Sequence, residues 1–163
     1  MAAAGIERTV AGVLNTLAIL SGLGVVALTG FLVLARFINY SVVGLHEIIS
    51  TAALLFYMVG AILASRNRAH LMVDWLDQRL TSPRARAIHA LIVAMLTTAI
   101  TLIFVYWAYR MLAWGVQRPQ WTPAYHIPLW LPQMSILLGA VGCVAYGLRD
   151  LLLSLAALKS TKS

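Results

Sequence analysis

Four long stretches of apolar residues run along this chain, and arginines and prolines mark where they begin or end. A membrane-spanning helix needs about 20 consecutive and mostly apolar residues, and each stretch reaches that length. The predicted spans cover about residues 10–37, 42–65, 84–111 and 131–155. The pattern therefore predicts an all-α, polytopic protein in which residues 1–163 form a single membrane domain.

Composition supports this prediction and indicates the surroundings of the chain. Hydrophobic residues make up 61% of it and charged residues 10%, against about 45–50% apolar and about 25% charged in soluble domains. A soluble fold of this length could not bury so much apolar surface, so we expect membrane lipids as a partner. The formal net charge is +7, but no basic stripe with interleaved aromatic residues is present, and we expect no nucleic-acid partner.

The basic residues predict the orientation, because Lys and Arg accumulate in cytoplasmic connections. With the N-terminus inside, nine of them are cytoplasmic and three are outside. The nine are Arg8, Arg66, Arg68, Arg79, Arg84, Arg86, Arg149, Lys159 and Lys162, and the three are Arg36, Arg110 and Arg118. Both termini are therefore predicted to be cytoplasmic.

Two connections have a pattern of their own. In Leu71–Leu80 the apolar residues cover one broad side of a helical wheel, and Asp74, Asp77 and Gln78 lie on the other. This predicts a short amphipathic helix in the cytoplasmic interface over about residues 70–81, with a plain polar loop as the alternative. The outer connection, about residues 115–130, is rich in Pro and Trp, which predicts a stiff loop packed on the protein or the headgroups.

Ionisable residues at membrane depth mark functional sites, and the spans contain almost none. Glu47, near the start of the second span, is the one acid placed slightly inside the lipid. Arg36 ends the first span across a short hairpin, so we predict that the two form a structural pair. The alternatives are that each side chain reaches water, or that Glu47 takes part in ion coupling.

The histidines and the cysteine do not predict a cofactor or metal site. A haem with two histidine ligands needs both at similar depth on facing helices. His46 and His126 are near the outer surface and His70 and His89 near the inner one, and both His70 and His126 lie in connections. A single cysteine excludes a paired-cysteine metal site, so we expect neither a cofactor nor a metal.

Small residues recur at every fourth position of the last span, which lets another helix approach closely. They are Ser135, Gly139, Cys143 and Gly147. The strip packs either inside this chain or against another subunit, and the sequence does not decide between the two.

Three segments, in this order, resemble a known family. An acid follows the start of span two in Leu45-His46-Glu47, and span two leads into His70-Leu-Met-Val73-Asp74. The outer connection reads Thr122-Pro123-Ala124-Tyr125-His126-Ile127-Pro128-Leu129-Trp130. Over roughly residues 10–155 the chain resembles the small, DctQ-like membrane subunit of tripartite ATP-independent periplasmic (TRAP) transporters.

The resemblance implies a non-catalytic subunit in the bacterial inner membrane. Its partners would be a large, DctM-like membrane subunit, which holds the sodium and substrate sites, and a periplasmic binding protein that captures a small organic acid. His70 and Asp74 would orient the interfacial helix, and Val73 belongs to the same motif. Candidates for docking of the binding protein are the outer-loop residues Arg118, Thr122, Pro123, Tyr125, His126, Pro128 and Trp130.

Two other functions remain open at this point. One is the membrane anchor of a haem- or quinone-linked oxidoreductase, and the other is the small subunit of a tripartite tricarboxylate transporter, which also crosses the membrane four times.

Overall fold

A computed structural model describes residues 2–40, 42–67 and 82–160. Four helices make up almost all of this part: α1 (Ala2–Phe37), α2 (Leu45–Arg66), α3 (Pro83–Gln117) and α4 (Trp130–Ser160). Each is long and apolar enough to cross a membrane, so the all-α class and the four spans are confirmed. The predicted interfacial helix, with His70, Val73 and Asp74, lies outside the described residues.

The helix ends follow from local chemistry. Asn39 has a left-handed φ of 55°, and the two hydrogen bonds of a Schellman motif close α1: Tyr40 N–H donates to the Ala35 carbonyl and Asn39 N–H to the Arg36 carbonyl. Pro83 begins α3, where its missing N–H costs nothing. This helix continues to Gln117, so the stiff outer connection begins later than the predicted residue 115.

The helices pack in the order α1, α2, α4, α3, with the closest contacts between neighbours in that order. Met58 of α2 lies against Gly139 of α4, and Ile62 against Gly142, so α2 and α4 run parallel. Gly22 of α1 faces Phe56 of α2 and Glu7 of α1 lies 4.0 Å from Arg66, so the flanking helix α1 runs antiparallel to its neighbour.

Small residues form the helix contacts. The most buried positions include Ala35, Ala108, Ala140 and Thr98, and no large side chain is fully buried among the described residues. Large apolar side chains point outward on all four helices instead. This distribution is expected in lipid, where close approach of backbones replaces the hydrophobic effect as the source of helix association.

A groove of about 230 Å³ opens between α2 and α3. Small residues of α4 form its floor, and apolar atoms line nearly all of it. The lining residues are Met58, Ala61, Thr97, Ile100, Thr101, Phe104, Gly139, Ala140 and Cys143. Such a lining suits hydrocarbon better than a polar solute.

The start of α1 and the end of α4 share one end of the helix layer, which we call the terminal end. There Arg149 of α4 donates a hydrogen bond of 2.9 Å to the Arg66 carbonyl in the last turn of α2. Its Nη1 also lies 3.6 Å from Oε1 of Glu7 on α1. One arginine thereby joins three helices and caps the C-terminus of α2, where a cation is favoured by the helix dipole.

Candidate functional site

The connection between α3 and α4 is an ordered hairpin at the opposite end of the layer, which we call the loop end. Leu129 N–H donates to the Gln120 carbonyl at 3.0 Å and Thr122 N–H donates to the Ile127 carbonyl at 3.0 Å. Trp121 and Pro128 face each other as an isolated antiparallel bridge. These bonds hold two short arms together without forming a sheet.

The tip of the hairpin, residues 122–127, satisfies part of its own backbone. His126 N–H donates to the Thr122 carbonyl at 3.1 Å, and Ile127 N–H donates to the Thr122 hydroxyl oxygen at 2.9 Å. His126 takes a left-handed φ of 51°, which turns the chain back towards α4. Pro123 has no N–H to satisfy, so two tip amides, those of Ala124 and Tyr125, remain for an external acceptor.

Glu47 supplies that acceptor from the first turn of α2. Ala124 N–H donates to Glu47 Oε1 at 2.9 Å and Tyr125 N–H donates to Oε2 at 3.0 Å. Hydrogen bonds to a charged acceptor are shorter and stronger than neutral ones, so this carboxylate tethers the hairpin tip to α2.

Gly44 makes the tether possible by letting the two segments approach. It has a left-handed φ of 87°, which L side chains adopt only with strain. A Cβ at this position would overlap the Ala124 Cβ and lie 3.0 Å from Tyr125 Cε2. Both the backbone conformation and the space therefore require glycine before α2.

The structure gives Glu47 a different partner from the predicted one. No ion pair joins Arg36 to Glu47 in the part of the chain that the structure describes. Arg36 is exposed in the last turn of α1, while both carboxylate oxygens are occupied by backbone amides. The carboxylate holds the α3–α4 hairpin instead of the α1–α2 hairpin because two converging N–H donors satisfy it without ordering a long arginine side chain.

The predicted docking residues share this one hairpin and its flanks. Arg118 caps the end of α3, its N–H donating to the Trp114 carbonyl at 2.9 Å, and Trp130 begins α4. The exposed members are Arg118, Pro123, Tyr125, His126 and Trp130, and the half-buried ones are Thr122 and Pro128. The loop thus presents exposed side chains on a backbone whose amides are satisfied.

The small-residue strip of α4 is used inside the chain. Gly139 contacts Met58 of α2, Gly147 contacts Thr98 of α3, and Cys143 is buried. The Ser65 hydroxyl of α2 donates to the Cys143 carbonyl at 3.4 Å. Ser135, the first residue of the strip, is half-buried. Of the two interpretations left open by the sequence, the contacts favour internal packing.

Sequence reasoning missed four contributors to these contacts. Gly44 and the amides of Ala124 and Tyr125 carry the tether, and Glu7 contributes to the cluster at the terminal end. The signal for the tether was weak: a glycine followed three residues later by an acid also occurs at ordinary helix starts. A backbone amide has no signature in a sequence at all.

Comparison with known families identifies the chain. Residues 25–157 match the family described as "Tripartite ATP-independent periplasmic transporters, DctQ component". The chain belongs to the DctQ family. Comparison with curated proteins gives no match. The matched region of this DctQ protein contains about the last third of α1, all of α2 and α3, nearly all of α4, the hairpin and Glu47.

Membership in the DctQ family has three consequences. The chain is a multi-pass membrane protein and a component of a transporter made of three parts. The family therefore implies a large membrane subunit and a binding protein as partners. It also favours the TRAP transporter over the haem-linked anchor and the tricarboxylate transporter that the sequence left open.

Proposed function

We propose that this DctQ protein is the non-catalytic scaffold of its transporter. In this proposal it lies in the bacterial inner membrane with both termini in the cytoplasm. It packs against the large, DctM-like subunit, which carries the sodium and substrate sites, and the complex takes up a small organic acid delivered by a periplasmic binding protein. The observation that carries the proposal is the family match over residues 25–157.

The outward distribution of apolar side chains supports the scaffold role. In the most apolar stretch of α1 no residue is buried within the chain, and in the most apolar stretch of α4 only 22% of the residues are buried. Such helices leave wide faces for lipid or another membrane protein. The small-residue strip of α4 is used internally, whereas Gly12, Gly24 and Gly30 of α1 have nothing within 4 Å of an added Cβ. We therefore expect the large subunit to meet these exposed apolar faces.

Co-purification tests the scaffold role. The tagged full chain, produced together with the large subunit of its transporter, should bring that subunit down in a constant ratio. Uptake into proteoliposomes should need both membrane subunits and the binding protein. Uptake by the purified chain without the large subunit would overturn the proposal.

The hairpin is the proposed contact with the binding protein, because it is exposed and its backbone is held by Glu47. Tyr125→Ala and Arg118→Glu should each weaken docking of the binding protein and should leave membrane insertion intact. The measurement is the affinity of the binding protein for the membrane complex immobilised on a surface. Arg36→Glu is the matched control: it makes the same charge change as Arg118→Glu but lies on α1, outside the hairpin. If all three variants bind the binding protein as tightly as the unaltered chain does, the hairpin is not part of the contact.

A further inference from the structure

An arginine on α3 is held against two aromatic rings. The guanidinium carbon of Arg110 lies 5.9 Å from the centre of the Trp107 ring and 6.0 Å from that of the Tyr106 ring. Its Nη1 donates to the Tyr106 hydroxyl oxygen at 3.4 Å. These distances are within the range of cation–π attraction, about 6 Å. We call Tyr106, Trp107 and Arg110 the α3 arginine patch.

The α3 arginine patch faces away from the other helices. Ala108 is 3% exposed, whereas Tyr106 is 54% and Trp107 59% exposed. Two positions along a helix correspond to about 200° of rotation, so Arg110 lies nearly opposite to the buried Ala108. Because α3 makes its main contacts with α4, this side of α3 is open to the surroundings of the protein.

No acid of the chain neutralises Arg110 among the residues that the structure describes. Glu47, the acid at the loop end, has both oxygens on backbone amides of the hairpin. An exposed guanidinium on an otherwise apolar and aromatic face therefore lacks a counter-charge within the described chain.

The position of Arg110 along α3 indicates its depth in the membrane. Residues 87–109 contain no Asp, Glu, Lys or Arg. At 1.5 Å per residue this stretch spans about 34 Å, close to the ~30 Å hydrocarbon thickness of a bilayer. Arg86 and Arg110 thus bracket the hydrocarbon, and Arg110 lies level with the headgroups of one leaflet, on the side of the helix rather than at its tip.

From these observations we infer that the α3 arginine patch is a binding site for the phosphate of a membrane phospholipid. A guanidinium binds phosphate through two parallel hydrogen bonds, and Trp and Tyr rings are the side chains that suit the headgroup boundary. Arg110 lies on the side of α3 at headgroup level, and no acid of the described chain neutralises it. Both facts favour a lipid over a protein partner. The inference goes beyond the transporter role, since it requires no other subunit.

Lipid titration of the full chain in detergent, read by native mass spectrometry, tests the site. The probes are phosphatidylglycerol and a diacylglycerol with the same acyl chains, which lacks the phosphate. We expect the unaltered chain to bind phosphatidylglycerol in preference to diacylglycerol. Arg110→Ala should weaken the tightest phosphatidylglycerol site on the order of tenfold, because a hydrogen-bonded charge is lost, and Arg110→Lys should restore part of the binding.

Arg118→Ala is the matched control, because Arg118 is an exposed arginine eight residues further on, at the end of the same helix. This variant should leave the affinity of the tightest phosphatidylglycerol site unchanged. The inference is overturned if Arg110→Ala binds phosphatidylglycerol as the unaltered chain does, or if both alanine variants lose binding equally. It is also overturned if diacylglycerol binds as tightly as phosphatidylglycerol. If Arg110→Ala still binds phosphatidylglycerol but no longer co-purifies with the large subunit, the α3 arginine patch contacts a protein instead, and the inference is overturned.

Discussion

Glu47 connects two segments that are 77 residues apart in the chain. Its two oxygens accept the only tip amides that the hairpin does not satisfy by itself, and Gly44 removes the side chain that would keep the segments apart. Both amides belong to exposed residues, where water could also accept from them, so the gain comes from their charge-assisted hydrogen bonds to the carboxylate. The hairpin is shaped by its own backbone hydrogen bonds, and one side chain from another helix attaches its tip to α2.

Replacing this carboxylate should loosen the hairpin tip. In Glu47→Gln one of the two acceptors becomes an NH₂ donor, which faces a backbone N–H and cannot bind it. We expect hydrogen exchange of the Ala124 and Tyr125 amides to become on the order of tenfold faster, as measured by mass spectrometry on a peptide that contains the tip. Exchange in the middle of α3 should not change.

Glu7→Gln provides the control for this prediction, because it makes the same chemical change at the terminal end of the layer. It should leave exchange in the hairpin as it is. If Glu47→Gln also leaves exchange there unchanged, the carboxylate does not hold the loop, and the docking proposal loses its structural basis.

At the scale of the helices, glycines on α4 set the distance to α2. A Cβ on Gly139 would lie 2.8 Å from Met58 Cβ, and a Cβ on Gly142 would lie 2.7 Å from Ile62 Cγ1. Both distances are too short for carbon atoms, so larger residues would force the parallel helices apart. The interface is therefore specific for small residues on one helix and longer ones on the other.

Gly139→Ala should destabilise the protein by about 1–3 kcal/mol, the usual cost of overpacking. Equilibrium unfolding in mixed micelles measures this change. Gly60→Ala is the control, because nothing lies within 4 Å of the Cβ that it adds to α2, and an added methyl in a helix interior is neutral or stabilising. A similar free energy of unfolding for both variants would contradict the packing argument.

The four helices illustrate what could be predicted from the chain and why. Runs of apolar residues and their flanking arginines identified all four described helices, because the requirement for about 20 apolar residues acts on each span separately. The small residues of α4 were also recognisable from their spacing. Their neighbours were not, because spacing shows which residues share a face but not which helix packs against it.

At the scale of the whole molecule, Arg149 holds the terminal end together. Besides its contacts with Arg66 and Glu7, it lies 3.0 Å from Asp150 and 5.0 Å from the centre of the Tyr146 ring. Glu7 connects the same three helices, because its Oε1 also lies 4.0 Å from Arg66 Nε. The cluster and the hairpin tether thus secure the layer at opposite ends.

Arg149→Ala should lower the free energy of unfolding by about 1 kcal/mol, since partly exposed ion pairs contribute little and most of the loss comes from the cap on α2. The same unfolding assay measures it. Lys159→Ala, another basic residue near the end of α4, should have no effect. Arg149→Lys should recover only part of the loss, because an ammonium group cannot reproduce the planar guanidinium contacts. Equal stability of all three variants would exclude this role.

The predicted pairing of Arg36 with Glu47 shows where sequence reasoning reaches its limit. The two residues are close along the chain and opposite in charge, and both facts are visible in the sequence. The donors that the carboxylate binds are backbone amides, which every residue except proline carries. Only the folded hairpin aims two of them at one point.

The number of helices, their membrane-spanning length and the family follow from the chain alone, because hydrophobicity and short ordered motifs are properties of local sequence. The helix order, the internal use of the α4 strip, the tether on Glu47 and the outward side of Arg110 follow only from the tertiary structure. Each of these depends on which surfaces meet, and meeting surfaces bring together residues that are distant along the chain.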